Sequence, residues 1–304
     1  MESSLAVVAV PGQPTAPYDR GMKIVILGAG RIGSTLAFHF SQARHEVTVV
    51  ARGKRLAALQ RDRAVLTVDG RSAPVSAAAS LEPDLAADLV IVTVPEYQVA
   101  PLLPALAASS ARTLLLMFNS FVDPQRYRAS LGGERVALGF PNMLAFLEDQ
   151  RIRFQVNGPG MSMTVSRPDL QALFAEAGLR SEVEPDMPAF LRSHVALVVP
   201  LFLAGLWTCD RPSALTWAEA RRLADAWIEG FALVRRLGHP LRPGVVAALG
   251  GLPRWLAVAV MWAFSRASSV RDVGQFGPEE TRWLIDRMVE VNGGPLPHLC
   301  DMRP

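Results

Sequence analysis

Lys23-Ile24-Val25-Ile26-Leu27-Gly28-Ala29-Gly30-Arg31-Ile32-Gly33 is the stretch on which the fold turns. An aliphatic, β-rich run, Lys23–Leu27, leads into three glycines spaced G-x-G-x-x-G, and apolar residues then recur at helical spacing from Ile32 to Ala43. A second β-rich run follows at Glu46–Ala51. Strand, glycine turn, helix and strand within about thirty residues make a βαβ unit. A glycine pattern alone says little, because glycines recur in any turn, but this context gives each one a task. Gly28 permits the tight turn, Gly30 lets the backbone approach a pyrophosphate, and Gly33 allows close packing of helix on sheet. The amides of Ala29, Arg31 and Ile32 and the dipole of the helix start then favour negative charge. The competing reading is a βαβ unit that binds nothing.

The end of the second strand bears on which dinucleotide fits. A loop that prefers NAD places Asp or Glu there to bond the ribose hydroxyls. This chain has Ala51-Arg52-Gly53-Lys54-Arg55, and Glu46 comes too early to serve. Arg52 can meet a 2′-phosphate with two hydrogen bonds, and Lys54 or Arg55 adds charge. The expectation is NADP(H), unless these cations are ordinary solvated residues at a helix start. Val94 and Pro95, closing the continuous apolar strand Leu89–Val94, join the expected cofactor set.

Beyond this unit, Leu56–Gln60 reads as a helix, and Ala64–Val68 with Arg71–Val75 as a hairpin around Asp69-Gly70. Val99–Ala108 is a further helix, interrupted by Pro101 and Pro104. Thr113–Phe118, Val136–Gly139, Phe154–Val156 and Met161–Val165 read as strands, and Pro168–Ala177 as a helix capped by Ser166 and closed by Gly178. After Pro188 the texture changes to helical patterns over Phe190–Trp207, Ser213–Leu237, Pro253–Ala267 and Pro278–Val291. The expected organisation is a flexible Pro-containing leader (residues 1–21), a Rossmann dinucleotide-binding domain (22–186) and an all-helical substrate or dimerisation domain (187–304).

Composition excludes several classes. Half the 304 residues are hydrophobic and 19% are charged, so a large core is easily built. The formal charge is +3, and the basic residues (all arginine except Lys23 and Lys54) are scattered rather than gathered into the stripe a nucleic-acid binder needs. Cys209 and Cys300 form neither a metal pattern nor a disulfide framework, which fits a reduced, cytoplasmic setting. Leu5–Val10 is too short and wrongly flanked for a signal peptide. The apolar run Val195–Trp207 contains Pro200 and falls short of the roughly 18 residues that span a bilayer. It is expected as a buried helix of a soluble protein.

The motif Met22–Gly30, then His45-Glu46-Val47 and Arg52, and then Val92-Thr93-Val94-Pro95-Glu96-Tyr97-Gln98-Val99 and Asn119, resembles the ketopantoate reductase family of NADPH-dependent enzymes. The resemblance implies a Rossmann domain joined to a helical domain similar to that of 6-phosphogluconate dehydrogenase. It places the active site in the cleft and implies a homodimer paired through the helical half. Gly28, Gly30, Gly33 and Arg52 match the family's cofactor positions. Asn119 matches the strand-end asparagine near nicotinamide and substrate, although an asparagine here also serves as a turn cap.

Three positions depart from the family. Pro95 replaces a lysine after the Thr-Val strand. Ser193-His194 stands where the catalytic lysine is expected, and Val198 replaces a substrate-binding asparagine. The family's glutamate falls near Gly277-Pro278, leaving Glu279 and Glu280 as shifted candidates. No lysine follows Lys54. Carbonyl reduction by hydride needs a proton donor or cation at the developing alkoxide. His194 is the sequence candidate for the acid, with Ser193 as relay, and the alternative is a core histidine. Losing lysine and asparagine makes the pocket more apolar, which points to a carbonyl or imine substrate larger or more apolar than ketopantoate. The Trp, Phe and Met residues of the helical half line either that cleft or a core. Two other readings stay open: a catalytically silent NADP(H)-binding sensor, and an opine- or imino-acid-type dehydrogenase.

Overall fold

In the computed structural model the described residues are 21–211, 213–267 and 278–304. The expected leader, apart from Gly21, and Gly277 lie outside them.

The glycine motif folds as read. Strand β1 (Lys23–Leu27), helix α1 (Arg31–Gln42), strand β2 (Glu46–Val50) and helix α2 (Gly53–Asp62) follow in order. Strands β3 (Ala64–Leu66) and β4 (Ser72–Pro74) form the expected hairpin. Strands β5 (Ser76–Ala78), β6 (Leu89–Val92), β7 (Thr113–Leu116), β8 (Val136–Phe140), β11 (Met163–Val165) and β12 (Ser181–Val183) complete the main sheet. Between β8 and β11 lies an antiparallel hairpin, β9 (Leu144–Glu148) and β10 (Arg151–Gln155). Helices α3 (Leu103–Ala108), α4 (Gln125–Leu131) and α5 (Pro168–Glu176) complete this half.

The main sheet has eight strands in the order β12-β11-β8-β7-β6-β1-β2-β5. All neighbours are parallel except β8 and β11. The chain runs outward from β1 through β2 to β5, then returns to β1's other side at β6, so β1 and β6 flank the switch point. A ligand binds beyond the carboxyl ends of the strands at such a point. Register makes those ends coincide: Leu27 is level with Val50 and with Val92, and Val92 with Leu116. Gly28, Ala51, Thr93 and Met117 therefore leave the sheet along one edge.

After Val183 no strand follows among the described residues. Helix α6 (Met187–Thr208) packs its first turns, Met187, Phe190 and Leu191, against the sheet face that also holds Val90, Leu114 and Leu138. From Val195 onward it belongs to a separate core with helix α7 (Trp217–Arg236) and the helices at Arg254–Phe264 and Pro278–Asn292. One helix thus seats the helical half on the sheet. It is longer than the apolar run read from sequence, and at 22 residues it reaches the length and apolarity of a membrane span. Most of its residues, however, are buried inside the protein. Two local expectations are corrected. Ser166 does not cap α5: Arg167 holds the N-cap position without a side-chain hydrogen bond, and the Ser166 hydroxyl accepts the Leu138 amide at 3.1 Å. The helix expected over Val99–Ala108 breaks into a 3-10 turn, Ala100–Leu102, and a short α3, since Pro101 and Pro104 withhold amides from a continuous ladder.

Candidate active site

Two cavities open along the carboxyl edge of the sheet. The first, about 580 Å³, is lined by the glycine loop, the end of β2 and the segment after β6. Its floor requires glycine. Gly28 sits at φ +108°, and a Cβ there would lie 2.9 Å from Thr93 Oγ1. A Cβ on Gly33 would lie 1.8 Å from the Gly28 carbonyl oxygen, whereas one on Gly30 meets nothing within 4 Å. The backbone is thus closely packed behind the loop and open in front of it. Helix α1 begins at Gly30 with no side-chain cap and no acid in its first turn, so its leading amides remain for an anion. Arg52 is exposed at the N-cap of α2, lines the same cavity, and its guanidinium makes no hydrogen bond or ion pair with any described residue. Glycine cradle, uncapped helix start and available guanidinium fit a dinucleotide phosphate.

Arg55 behaves differently. Its guanidinium donates to the Ala29 carbonyl (3.2 Å), the Gln150 carbonyl (2.6 Å) and the Ser34 hydroxyl (2.9 Å). It lines the cavity but ties the glycine loop to the β9–β10 turn, so these donors are directed at the protein.

The second cavity, about 370 Å³, shares Gly30, Thr93, Pro95 and Tyr97 with the first. Its walls are mostly apolar: Phe118, Phe140, Phe146, Val198 and Phe202, with Met117. Within them stand Arg31, Asn119, His194 and Glu280. Asn119 follows β7 and donates from Nδ2 to Glu280 Oε1 at 2.8 Å, while its Oδ1 is buried with no partner among the described residues. Glu280 lies in the first turn of the Pro278–Asn292 helix, and Glu279 beside it is exposed. Burial pushes the Glu280 carboxyl above the usual carboxylate range, against the opposing pull of the Asn119 hydrogen bond and the Arg31 charge. Burial likewise lowers the Arg31 guanidinium, which Glu280 opposes. His194 packs its ring on Phe140 with centroids 3.9 Å apart, and desolvation pushes its pKa down to about 3. It enters the cavity as neutral imidazole at neutral pH.

The residues expected from sequence divide accordingly. Gly28, Ala29, Gly30, Arg52, Arg55, Val94 and Pro95 line the first cavity. Arg31, Ile32, Asn119 and His194 line the second, as do Gly30 and Pro95 again. Gly33 lies behind the loop, and Lys54 is exposed outside both cavities. Ser193 is not brought to the cavity: it is fully buried, and its hydroxyl accepts the Arg242 amide at 3.0 Å. The relay expected of it is corrected on that ground, since α6 turns the residue before His194 to another side. Sequence reasoning missed Tyr97, which lines both cavities, and the β9–β10 hairpin, which lends Leu147 to the first and Phe146 to the second. It also placed Arg31 with the phosphates, whereas the side chain supplies the second cavity with a cation.

Comparisons with known proteins bear on this arrangement. The family model described as ketopantoate reductase PanE/ApbA matches residues 24–166. Curated proteins give no sequence match. Among solved structures, a protein from Ralstonia solanacearum MolK2 described as a ketopantoate reductase is 22% identical, with a TM-score of 0.72 over 93% of this chain and 96% of that one. A PanE/ApbA family ketopantoate reductase from Ralstonia eutropha JMP134 is 20% identical, with a TM-score of 0.70 over the same shares, 93% and 96%. D-mandelate dehydrogenase, solved with NADH and anilino(oxo)acetate, is 15% identical, with a TM-score of 0.68 over 93% and 96%. Identities this low establish the shared fold, a Rossmann sheet followed by a helical region, and nothing finer. The stretch matched by that family model, residues 24–166, carries the glycine loop, Thr93-Val94-Pro95 and Asn119.

Proposed function

We propose that this protein is an NADPH-dependent reductase that delivers hydride to a carbonyl or imine carbon of a substrate larger or more apolar than ketopantoate. The observation that carries the reading is the adjacency of the two cavities, which share Gly30, Thr93, Pro95 and Tyr97 as walls, with the Asn119–Glu280 pair in the second. A dinucleotide held by its phosphates at Gly28–Gly30 and Arg52 would extend along those shared walls toward that pair. The bound reduced nicotinamide supplies the hydride. The protein must then deliver a proton to the substrate oxygen or nitrogen, and Glu280 is suited to hold it. Its Oε1 accepts from Asn119, its Oε2 remains to carry a proton, and its raised pKa keeps it protonated to higher pH than an ordinary carboxyl. Asn119 orients the carboxyl, the apolar walls exclude water, and neutral His194 forms part of the wall.

Glu280 thereby takes the part that the sequence reading gave to His194, and it weakens the silent-sensor alternative, which rested on a missing proton donor. Phe140, Phe146, Phe202 and Val198 favour an apolar body, and Arg31 offers one cation to a substrate's anionic group. The anilino(oxo)acetate bound by D-mandelate dehydrogenase, an aromatic ring joined to an oxoacetate, is a substrate shape this wall accommodates in kind. NADPH oxidation assayed across ketopantoate, aryl 2-oxo acids, neutral ketones and amine-supplemented ketones tests the reading. The expected result is turnover of an apolar or aryl member well above ketopantoate, lost in Glu280→Gln and falling as pH rises through the Glu280 pKa. Ketopantoate as the best substrate would overturn the substrate class, and an unaltered Glu280→Gln rate would overturn the acid.

A further inference from the structure

Glu96 is 5% exposed, lines neither cavity, and has no role in the steps above. Its carboxylate nevertheless collects three donors. Oε1 accepts from Ser120 Oγ at 2.6 Å and from Tyr127 Oη at 2.8 Å, and Oε2 accepts from Trp283 Nε1 at 3.0 Å. A buried carboxylate with three short hydrogen bonds is well satisfied without a cation. Burial and the neighbouring Glu96 charge drive the Tyr127 hydroxyl upward, so it stays a donor throughout the physiological range.

The placement of these donors is informative. Ser120 directly follows Asn119, and Trp283 lies three residues after Glu280, one helical turn along the same face. The Asn119–Glu280 bond and the Ser120–Glu96–Trp283 bridge therefore run side by side between the end of β7 and the Pro278–Asn292 helix. Tyr97, next to Glu96, packs its ring on Trp283 with centroids 6.3 Å apart and lines both cavities. We propose that Glu96 is the positioning residue of the Asn119–Glu280 pair, setting the distance between the strand end and the helix that carry it. The inference rests on reading that pair as the reacting centre.

In Glu96→Gln the amide keeps the shape but loses the charge: facing Trp283 its N–H groups break that arm, and facing the two hydroxyls they hold them only as acceptors, so the bridge is weakened either way. Trp283→Phe keeps an aromatic side chain and removes the N–H donor along with part of the indole, and serves if the first variant folds poorly. Both are compared with the parent in two readouts on the full chain. The first is turnover of the best carbonyl substrate, where kcat is expected to fall roughly 10- to 100-fold in Glu96→Gln, and less in Trp283→Phe, with NADPH affinity unchanged. The second needs no turnover: the infrared band of the Glu280 carboxyl, assigned by its loss in Glu280→Gln, is titrated with pH. Its midpoint is expected to rise in both variants, because the Asn119 bond that favours the ionised form loosens. Arg31, His194 and Tyr97, the other titratable groups lining the cavity among the described residues, are not substituted. Folded variants with the parent's Glu280 titration and kcat would overturn the proposal. If the parent reduces nothing, the reductase reading fails by itself, and the titration alone decides what Glu96 does.

Discussion

His194 shows how far environment outweighs residue type. A histidine on the first helical turn pair after the sheet looks like an acid in waiting. Desolvation beside Phe140 and Phe190 leaves it neutral instead. Its folded pKa of about 3 lies below the ordinary 6.5, so the unfolded chain takes up a proton first as pH falls. Stability tied to this residue is complete above the ordinary value and drains away between there and about pH 3. His194→Phe, which preserves the ring stack, is expected to fold at neutral pH and to lose less stability on acidification, by about 1–3 kcal/mol across that window. Urea unfolding at several pH values measures it, and an acid-side slope identical to the parent's would argue against a buried neutral imidazole. Glu280 was legible only as one of two adjacent acids. One residue is a 100° step around a helix, and that step, invisible without knowing how the helix is seated, separates exposed Glu279 from Glu280 in the cavity.

The βαβ unit was legible because three signals agree there: a β-rich run, glycines at fixed offsets and a 3.6-residue apolar period. The β9–β10 hairpin was not, because nothing in Asp149-Gln150 announces a turn. Both residues adopt positive φ, +45° and +65°, as a two-residue hairpin turn demands, yet neither is glycine or asparagine. What pins this turn is remote in sequence, namely the Arg55 guanidinium on the Gln150 carbonyl. Arg55→Gln is expected to speed amide exchange over residues 144–155 and to lower stability by about 1–3 kcal/mol, through a lost charge-assisted bond. Exchange unchanged over the hairpin, together with a selective loss of NADPH binding, would assign Arg55 to the cofactor instead. The same hairpin walls both cavities, so its missing signal is also why the apolar roof of the second cavity went unread.

Across the whole chain, the division into a sheet-bearing half and a helical half follows from the change of periodicity near Pro188, and Val183 and Met187 bracket it in the structure. The way the halves meet could not be read, because it depends on α6 placing Met187, Phe190 and Leu191 on the sheet and Val198 and Phe202 at the cavity. That docking brings Glu280, remote in sequence, to Asn119 beyond β7 and closes a second cavity beside the nucleotide cradle. Hydride delivery in the second cavity, as proposed, requires that cradle to hold a phosphorylated dinucleotide. Its most direct test is a fluorescence titration of the full chain and of Arg52→Gln with NADPH and with NADH. The parent should bind NADPH at least about tenfold more tightly than NADH, and Arg52→Gln should remove most of that preference by weakening NADPH alone. A parent that binds neither nucleotide, or a preference that survives the loss of Arg52, would contradict it.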